Sequence, residues 1–121
     1  MAIVPEFLLK RIYKKGSLKK LDDGVSFGLK NILGPGFISG FNYIHINEHK
    51  FEAKDVTFTT QGVETKGTDV TEENPIRFRL GQEGTLKVND SNCIVEGTNK
   101  IILEIMNPEA GKVTVHLEDK I

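Results

Sequence analysis

Apolar and polar residues alternate along most of the chain, in short runs separated by turn residues about every ten positions. The alternation is clearest at the carboxyl end, where Ile101, Leu103 and Ile105 precede a turn at Asn107 to Gly111 and a second alternating run follows. Such a run buries one face of a strand and leaves the other in water. The sequence therefore predicts a C-terminal β-hairpin within an all-β fold, an antiparallel β-sandwich or flattened barrel.

About eight to nine strands are expected from this pattern. Residues 17–20 and 25–33 are predicted to form a first hairpin, and residues 37–46 either a strand pair or one strand bent at Gly40. A short apolar run predicts a further strand at Cys93 to Val95, whereas residues 61–74 are polar and poorly periodic and are expected to form the longest loop.

Only the first segment has helical periodicity. Val4, Phe7 and Ile12 recur at helical spacing, and Pro5 suits the first position of a helix. One short N-terminal helix is therefore predicted over residues 4–14.

The length of 121 residues is enough for one modest core, so we expect a single β-sandwich domain over residues 1–121. Cys93 is the only cysteine and has no partner for an intramolecular disulfide. Charged residues interrupt the first twenty positions, which excludes a signal-peptide core, and no apolar run reaches the roughly 20 residues of a membrane helix. These features predict a cytoplasmic protein that does not contact a membrane.

Few residues have the spacing of a metal site or a catalytic site. His45, Glu48 and His49 straddle a predicted strand end and a turn, without a third histidine, a cysteine or an aspartate at ligand spacing. His116 alternates with core residues and is expected on an outer face, and Cys93 is expected to be a small core residue. We therefore expect no catalytic, cofactor-binding or metal-binding residue on this chain.

The charge is unevenly distributed, since residues 1–20 carry a net +5 and the remaining residues −6. Lys14 and Lys15 lie in this basic segment, which could follow a phosphate backbone, dock an acidic partner, or be a solvated surface.

Three aromatic residues, Phe37, Phe41 and Tyr43, fall within seven positions beside glycine-rich turns. They share a face only if Gly40 does not form a bulge, so the sequence leaves open a core seam or an exposed patch that contacts a partner. A partner interface is predicted at these three residues together with Lys14 and Lys15.

The stretches Val4-Pro-Glu-Phe-Leu-Leu-Lys-Arg-Ile-Tyr13, Lys15-Gly-Ser-Leu18, Asp23-Gly-Val-Ser-Phe-Gly-Leu-Lys-Asn31 and Leu33-Gly-Pro-Gly36 resemble the beta subunit of C-glycoside deglycosidases. The resemblance implies an accessory β-sandwich subunit paired with a TIM-barrel-type alpha subunit. The resemblance further implies that the complex is a carbon–carbon lyase, which cleaves the bond between a 3-oxo sugar and a flavonoid-type aglycone by elimination. The substrate and a divalent metal, manganese in the family, belong to the alpha subunit, and the resemblance carries no catalytic residue over to this chain.

This leading hypothesis expects no nucleic acid as partner. Its alternative is a free-standing binding module for carbohydrate, through surface aromatics, or for nucleic acid, through the basic segment. A third hypothesis is a small independent enzyme that uses His45 or His116.

Overall fold

The computed structural model describes residues 5–121, and most of them lie in antiparallel strands. One short helix, α1, spans Glu6–Leu9. The eleven strands in these residues are β1 (Lys19–Leu21), β2 (Gly24–Lys30), β3 (Gly36–Ile38), β4 (Gly40–Ile46), β5 (His49–Glu52), β6 (Val56–Thr60), β7 (Val63–Lys66), β8 (Ile76–Phe78), β9 (Glu83–Val88), β10 (Thr98–Asn107) and β11 (Gly111–Lys120). Short 3₁₀ turns cover Lys10–Ile12, Ala53–Asp55 and Gly67–Asp69.

Two sheets form the sandwich. One has the order β1-β2-β9-β6-β7, the other β11-β10-β4-β5, and β3 and β8 form a separate ribbon. Their inner faces share one hydrophobic cluster, with fully buried side chains such as Phe27, Phe58 and Leu86 from the first sheet and Ile44 and Ile101 from the second. Both sheets keep open edges, so the prediction of an all-β antiparallel sandwich is confirmed, without closure into a barrel.

The two predicted hairpins are present, as β1–β2 and β10–β11. The strand count was too low because β5 and β7 were missed, and the expected long loop at residues 61–74 contains β7 and a 3₁₀ turn. Both strands lie at sheet edges and are mostly exposed, so little apolar alternation marks them.

The expected strand at Cys93 to Val95 was also wrong. Asparagine side chains take the place of a neighbouring strand there: Oδ1 of Asn99 accepts from the N–H of Val95 at 2.8 Å, and Nδ2 of Asn47 donates to the carbonyl of Cys93 at 2.8 Å. Side chains of this type compete with sheet formation by bonding the backbone directly.

The N-terminal helix is shorter than predicted. It covers Glu6–Leu9 and tightens into the 3₁₀ turn before Tyr13, whose backbone forms an isolated bridge with Leu29. Val4, the expected first residue, lies outside the described residues. Between residues 5 and 121, no helix combines the length and the apolar character that crossing a bilayer requires.

Candidate functional site

An apolar groove of about 570 Å³ lies beside the β3–β8 ribbon. Leu9 and Ile12 line one side, Leu33 and Phe37 another, and Ile105 contributes from β10. We call it the Phe37 groove. It brings together the N-terminal segment, the loop after β2 and the end of the C-terminal hairpin, which are far apart in sequence.

Asn31 fixes the loop that presents Leu33 and Phe37. Its side chain is buried, with 4% of the residue exposed. Its Nδ2 donates to the carbonyls of Gly34 (2.6 Å) and Phe78 (2.8 Å), and its Oδ1 accepts from the N–H groups of Leu33 (3.1 Å) and Gly34 (3.3 Å). One side chain therefore ties the loop to β8 and to itself.

Asn107 holds the opposite rim. Its Nδ2 donates to the carbonyl of Phe37 at 2.9 Å, and its Oδ1 accepts from the N–H groups of Glu109 and Ala110, both at 2.9 Å. Phe37 and Leu33 nonetheless keep 41% and 38% of their surface exposed. The groove thus presents apolar side chains to solvent on a backbone fixed by hydrogen bonds.

The N-terminal segment, which lines the Phe37 groove with Leu9 and Ile12, is attached to β11 by two polar contacts. Oε2 of Glu6 accepts from the backbone N–H of His116 at 2.8 Å and lies 2.9 Å from Nδ1 of the same residue. The backbone hydrogen bond, followed by the imidazole, lowers the pKa of Glu6 below its ordinary value. Glu6 is therefore an anion at neutral pH and holds α1 at the groove.

The second contact joins Tyr13 to Asp119. Oδ2 of Asp119 accepts from the Tyr13 hydroxyl at 2.6 Å and from the N–H groups of Gly16 (2.9 Å) and Leu18 (3.3 Å). Burial opposes the charge of Asp119, but the hydrogen bonds outweigh it and keep its pKa below the ordinary value. Burial and the same contact raise the pKa of Tyr13. The segment from Tyr13 to Leu18 is thus held to β11.

The structure separates the three aromatic residues of the predicted interface. Phe37 is exposed in the groove, whereas Phe41 is 5% exposed and packs on Phe58 with ring centroids 6.0 Å apart. The register places Phe41 opposite Ile105 and Tyr43 opposite Glu104, so the bulge falls at Asn42 rather than at Gly40. The extra residue sends Phe41 into the core and leaves Tyr43 half-buried.

Tyr43 stacks edge-on with His45 at 5.0 Å, and the Lys50 ammonium lies 5.4 Å from its ring centroid. The predicted basic interface residues are separated as well. Lys14 pairs with Glu83 on β9, and Lys15 lines a different cavity of about 500 Å³. The role of the five residues in binding a partner stays a prediction.

The candidate chemical residues do not assemble into a shared site. Within residues 5–121, no three histidine, cysteine, aspartate or glutamate side chains come together in an arrangement that could hold a metal ion. Cys93 is buried, and burial, followed by the nearby Asp90, raises the pKa of its thiol to about 11. The thiol is therefore protonated at neutral pH, which is the inert form.

Arg77 and Arg79 were not predicted from the sequence as residues of a site. Both line a cavity of about 830 Å³ between the β6–β7 hairpin and the β8 segment. Their spacing of two residues within an apolar run, Ile76-Arg-Phe-Arg-Leu80, was the available signal, because alternate residues of a strand share a face. The opposite wall of the cavity, which β7 contributes, could not be predicted because β7 itself was not predicted.

Comparison with models of protein families matches residues 8–121 to the family described as hydroxymethylglutaryl-CoA reductase, N-terminal domain. A search of curated proteins finds no matching relative.

The family match overturns the resemblance to the beta subunit of C-glycoside deglycosidases, because it covers nearly the whole chain with a different family. The inferred lyase function was therefore wrong, and the match does not support the free-standing carbohydrate or nucleic-acid module either. The short stretches quoted for the resemblance are rich in glycine and lysine around common turns and carry no catalytic signature, so they did not discriminate between families. The manganese ion and the barrel-type partner follow from that resemblance alone, and the match does not test them.

Proposed function

Because the chain belongs to the hydroxymethylglutaryl-CoA reductase N-terminal domain family, we propose that it is a non-catalytic domain that docks on the catalytic part of such a reductase. The family is a domain of an enzyme, so a supporting role beside a catalytic unit agrees with its name. The Phe37 groove is the observation that carries the proposal. Its exposed apolar residues suit contact with another protein surface.

The Phe37 groove combines apolar and charged side chains, as a docking site does. Phe37 and Leu33 supply exposed apolar area, and Glu6 and Lys112 place opposite charges among the lining residues. An apolar centre with a polar rim is the usual arrangement of a protein interface. The hydrogen bonds of Asn31 and Asn107 hold the loop before a partner arrives, which reduces the entropy lost on docking.

The expected contribution of Phe37 follows from its exposure. The 41% of the residue that remains exposed corresponds to about 80 Å² of surface, which stabilises a complex by about 2 kcal/mol if a partner covers it. Replacement by serine is therefore expected to weaken docking by about thirtyfold.

The test measures binding of the full chain to the catalytic part of a hydroxymethylglutaryl-CoA reductase by titration calorimetry, with turnover of hydroxymethylglutaryl-CoA followed in parallel. Phe37→Ser and Leu33→Ser are compared with Val95→Ser, which removes an exposed apolar side chain outside the groove. Weaker binding for the two groove variants and unchanged binding for the control support the proposal. No binding by the wild-type chain, or equal binding by all three variants, contradicts it.

A further inference from the structure

The cavity lined by Arg77 and Arg79 has the size of a small-molecule site. It occupies about 830 Å³, bounded by the turn of the β6–β7 hairpin on one side and by β8 and the turn after it on the other. Sites for small ligands are commonly about 300–1,000 Å³. The Phe37 groove has a separate set of lining residues.

The charged residues that line the cavity are all positive. The chain has three arginines, and all except Arg11 line this cavity. None of its lining residues is an aspartate or a glutamate. Among residues 5–121, neither Arg77 nor Arg79 takes part in an ion pair. Two positive charges without a carboxylate create a local potential that attracts an anion.

Hydrogen bonds fix the backbone that carries Arg79. Its N–H donates to Oε1 of Gln82 at 2.7 Å, and the N–H of Gln82 donates back to the Arg79 carbonyl at 3.0 Å. Gly81, with a φ of 86°, supplies the left-handed position that such a turn needs. Gln82 also lines the cavity, and its NH₂ group, which can donate two hydrogen bonds, forms none within residues 5–121.

Arg77 is oriented differently, with its guanidinium 5.7 Å from the centroid of the Phe37 ring. Stacking on an aromatic ring restricts a guanidinium while leaving its N–H groups free to donate at the edge. The guanidinium of Arg77 and the backbone of Arg79 are therefore both held in place at the same cavity.

Apolar walls complete the cavity. Val63 and Leu80 both line it and are largely exposed, on opposite sides. The tight turn at Gln61 and Gly62, with φ values of 54° and 74°, fixes the position of Val63 at the start of β7. A ligand that carried an organic group next to its charge would cover these side chains.

From these features we propose that the cavity binds the phosphate group of a small organic molecule through Arg77 and Arg79, with its carbon skeleton against Val63 and Leu80. A phosphate monoester carries about −1.5 to −2 charges at pH 7, which matches two guanidinium groups. Arginine also donates two parallel hydrogen bonds to a phosphate.

The experiment titrates the 121-residue chain with phenyl phosphate, inorganic phosphate and phenylacetate, and follows the three arginine side-chain Nε–H signals by NMR. We expect the signals of Arg77 and Arg79 to shift together and to saturate while that of Arg11 stays in place. Phenyl phosphate should bind more tightly than inorganic phosphate, because only it covers the apolar walls. Uniform or unsaturable shifts, or tighter binding of phenylacetate than of phenyl phosphate, overturn the proposal.

Variants separate the contacts. Arg79→Gln is expected to weaken binding of phenyl phosphate by about tenfold or more, whereas Arg11→Gln serves as the matched control and should leave it unchanged. Arg79→Lys keeps the charge but not the paired hydrogen bonds, so an intermediate loss is expected. Equal affinity of Arg79→Gln and the wild-type chain contradicts the assignment. Arg79 does not line the Phe37 groove, so this result and the docking result can fail independently.

Discussion

Replacing Asn31 tests whether one buried amide holds the Phe37 groove in shape. Asn31→Ala removes all four of its side-chain hydrogen bonds, two donated and two accepted. Asn31→Asp keeps the accepting oxygen but removes both donors, and it places a carboxylate against the carbonyls of Gly34 and Phe78. The donated bonds are therefore expected to decide the outcome.

The expected loss of folding stability depends on how deeply each of these hydrogen bonds is buried. The bond to the Phe78 carbonyl is buried, and leaving a buried carbonyl unpaired costs about 1–3 kcal/mol. The other three bonds are partly buried, so water replaces them in part at about 0.5 kcal/mol each. The expected loss for Asn31→Ala is about 3 kcal/mol, which lowers the melting temperature of a chain of this size by about 10–15 °C.

Urea and thermal unfolding provide the measurement. Asn89→Ala is the matched control, because Asn89 is exposed and its side chain forms no hydrogen bond within the described residues. Asn31→Asp should be at least as unstable as Asn31→Ala at neutral pH. If Asn31→Ala is as stable as Asn89→Ala, or if Asn31→Asp restores wild-type stability, the role given to the donated bonds is refuted.

Three further outcomes are expected. Gly84→Ala should destabilise the fold by about 1–3 kcal/mol, measured by urea unfolding, because an added Cβ would lie 2.3 Å from the Phe58 ring. Gly36→Ala is the control and should be close to neutral, because the nearest atom to its added Cβ is 4.0 Å away. Asp119→Asn should cost about 2 kcal/mol at pH 7. That difference in stability should shrink below about pH 4. The pKa of Asp119 is lower in the folded chain than in the unfolded chain, so its stabilising effect is complete above the unfolded pKa and is lost as the pH falls through the folded pKa. A difference in stability that stays constant from pH 7 to pH 3 would exclude this role of the Asp119 charge. Cys93, with a pKa of about 11, should resist alkylation at neutral pH until urea unfolds the chain, and fast labelling of the folded protein would contradict its burial.

Part of the candidate site was predictable from the sequence. The sequence indicated Phe37 beside glycine-rich turns as a candidate surface aromatic, and the structure exposes it at the groove. It did not reveal that Phe41, four residues away, lies in the core. That separation depends on the bulge at Asn42, which exists only in the pairing of β4 with β10. The sequence did not reveal the cavity lined by Arg77 and Arg79 for a similar reason, since its second wall is β7, an edge strand with little apolar alternation.

Local periodicity determined the fold class. The alternation that places Ile101, Leu103, Val115 and Leu117 inside is a property of each strand by itself, because successive side chains of a strand point to opposite faces. The sequence therefore predicted an antiparallel sandwich and its C-terminal hairpin.

The tertiary structure alone decided which surfaces could bind. The Phe37 groove depends on side chains from α1, the loop after β2 and the hairpin β10–β11. The cavity lined by Arg77 and Arg79 depends on β7 and β8, which share no hydrogen bonds. Edge strands, bulges and cavity walls are set by contacts between residues distant in the chain, for which no local pattern is required. For this reason the sequence determined which face of a regularly alternating strand is buried, and the packing of the elements determined where a partner or a ligand could be held.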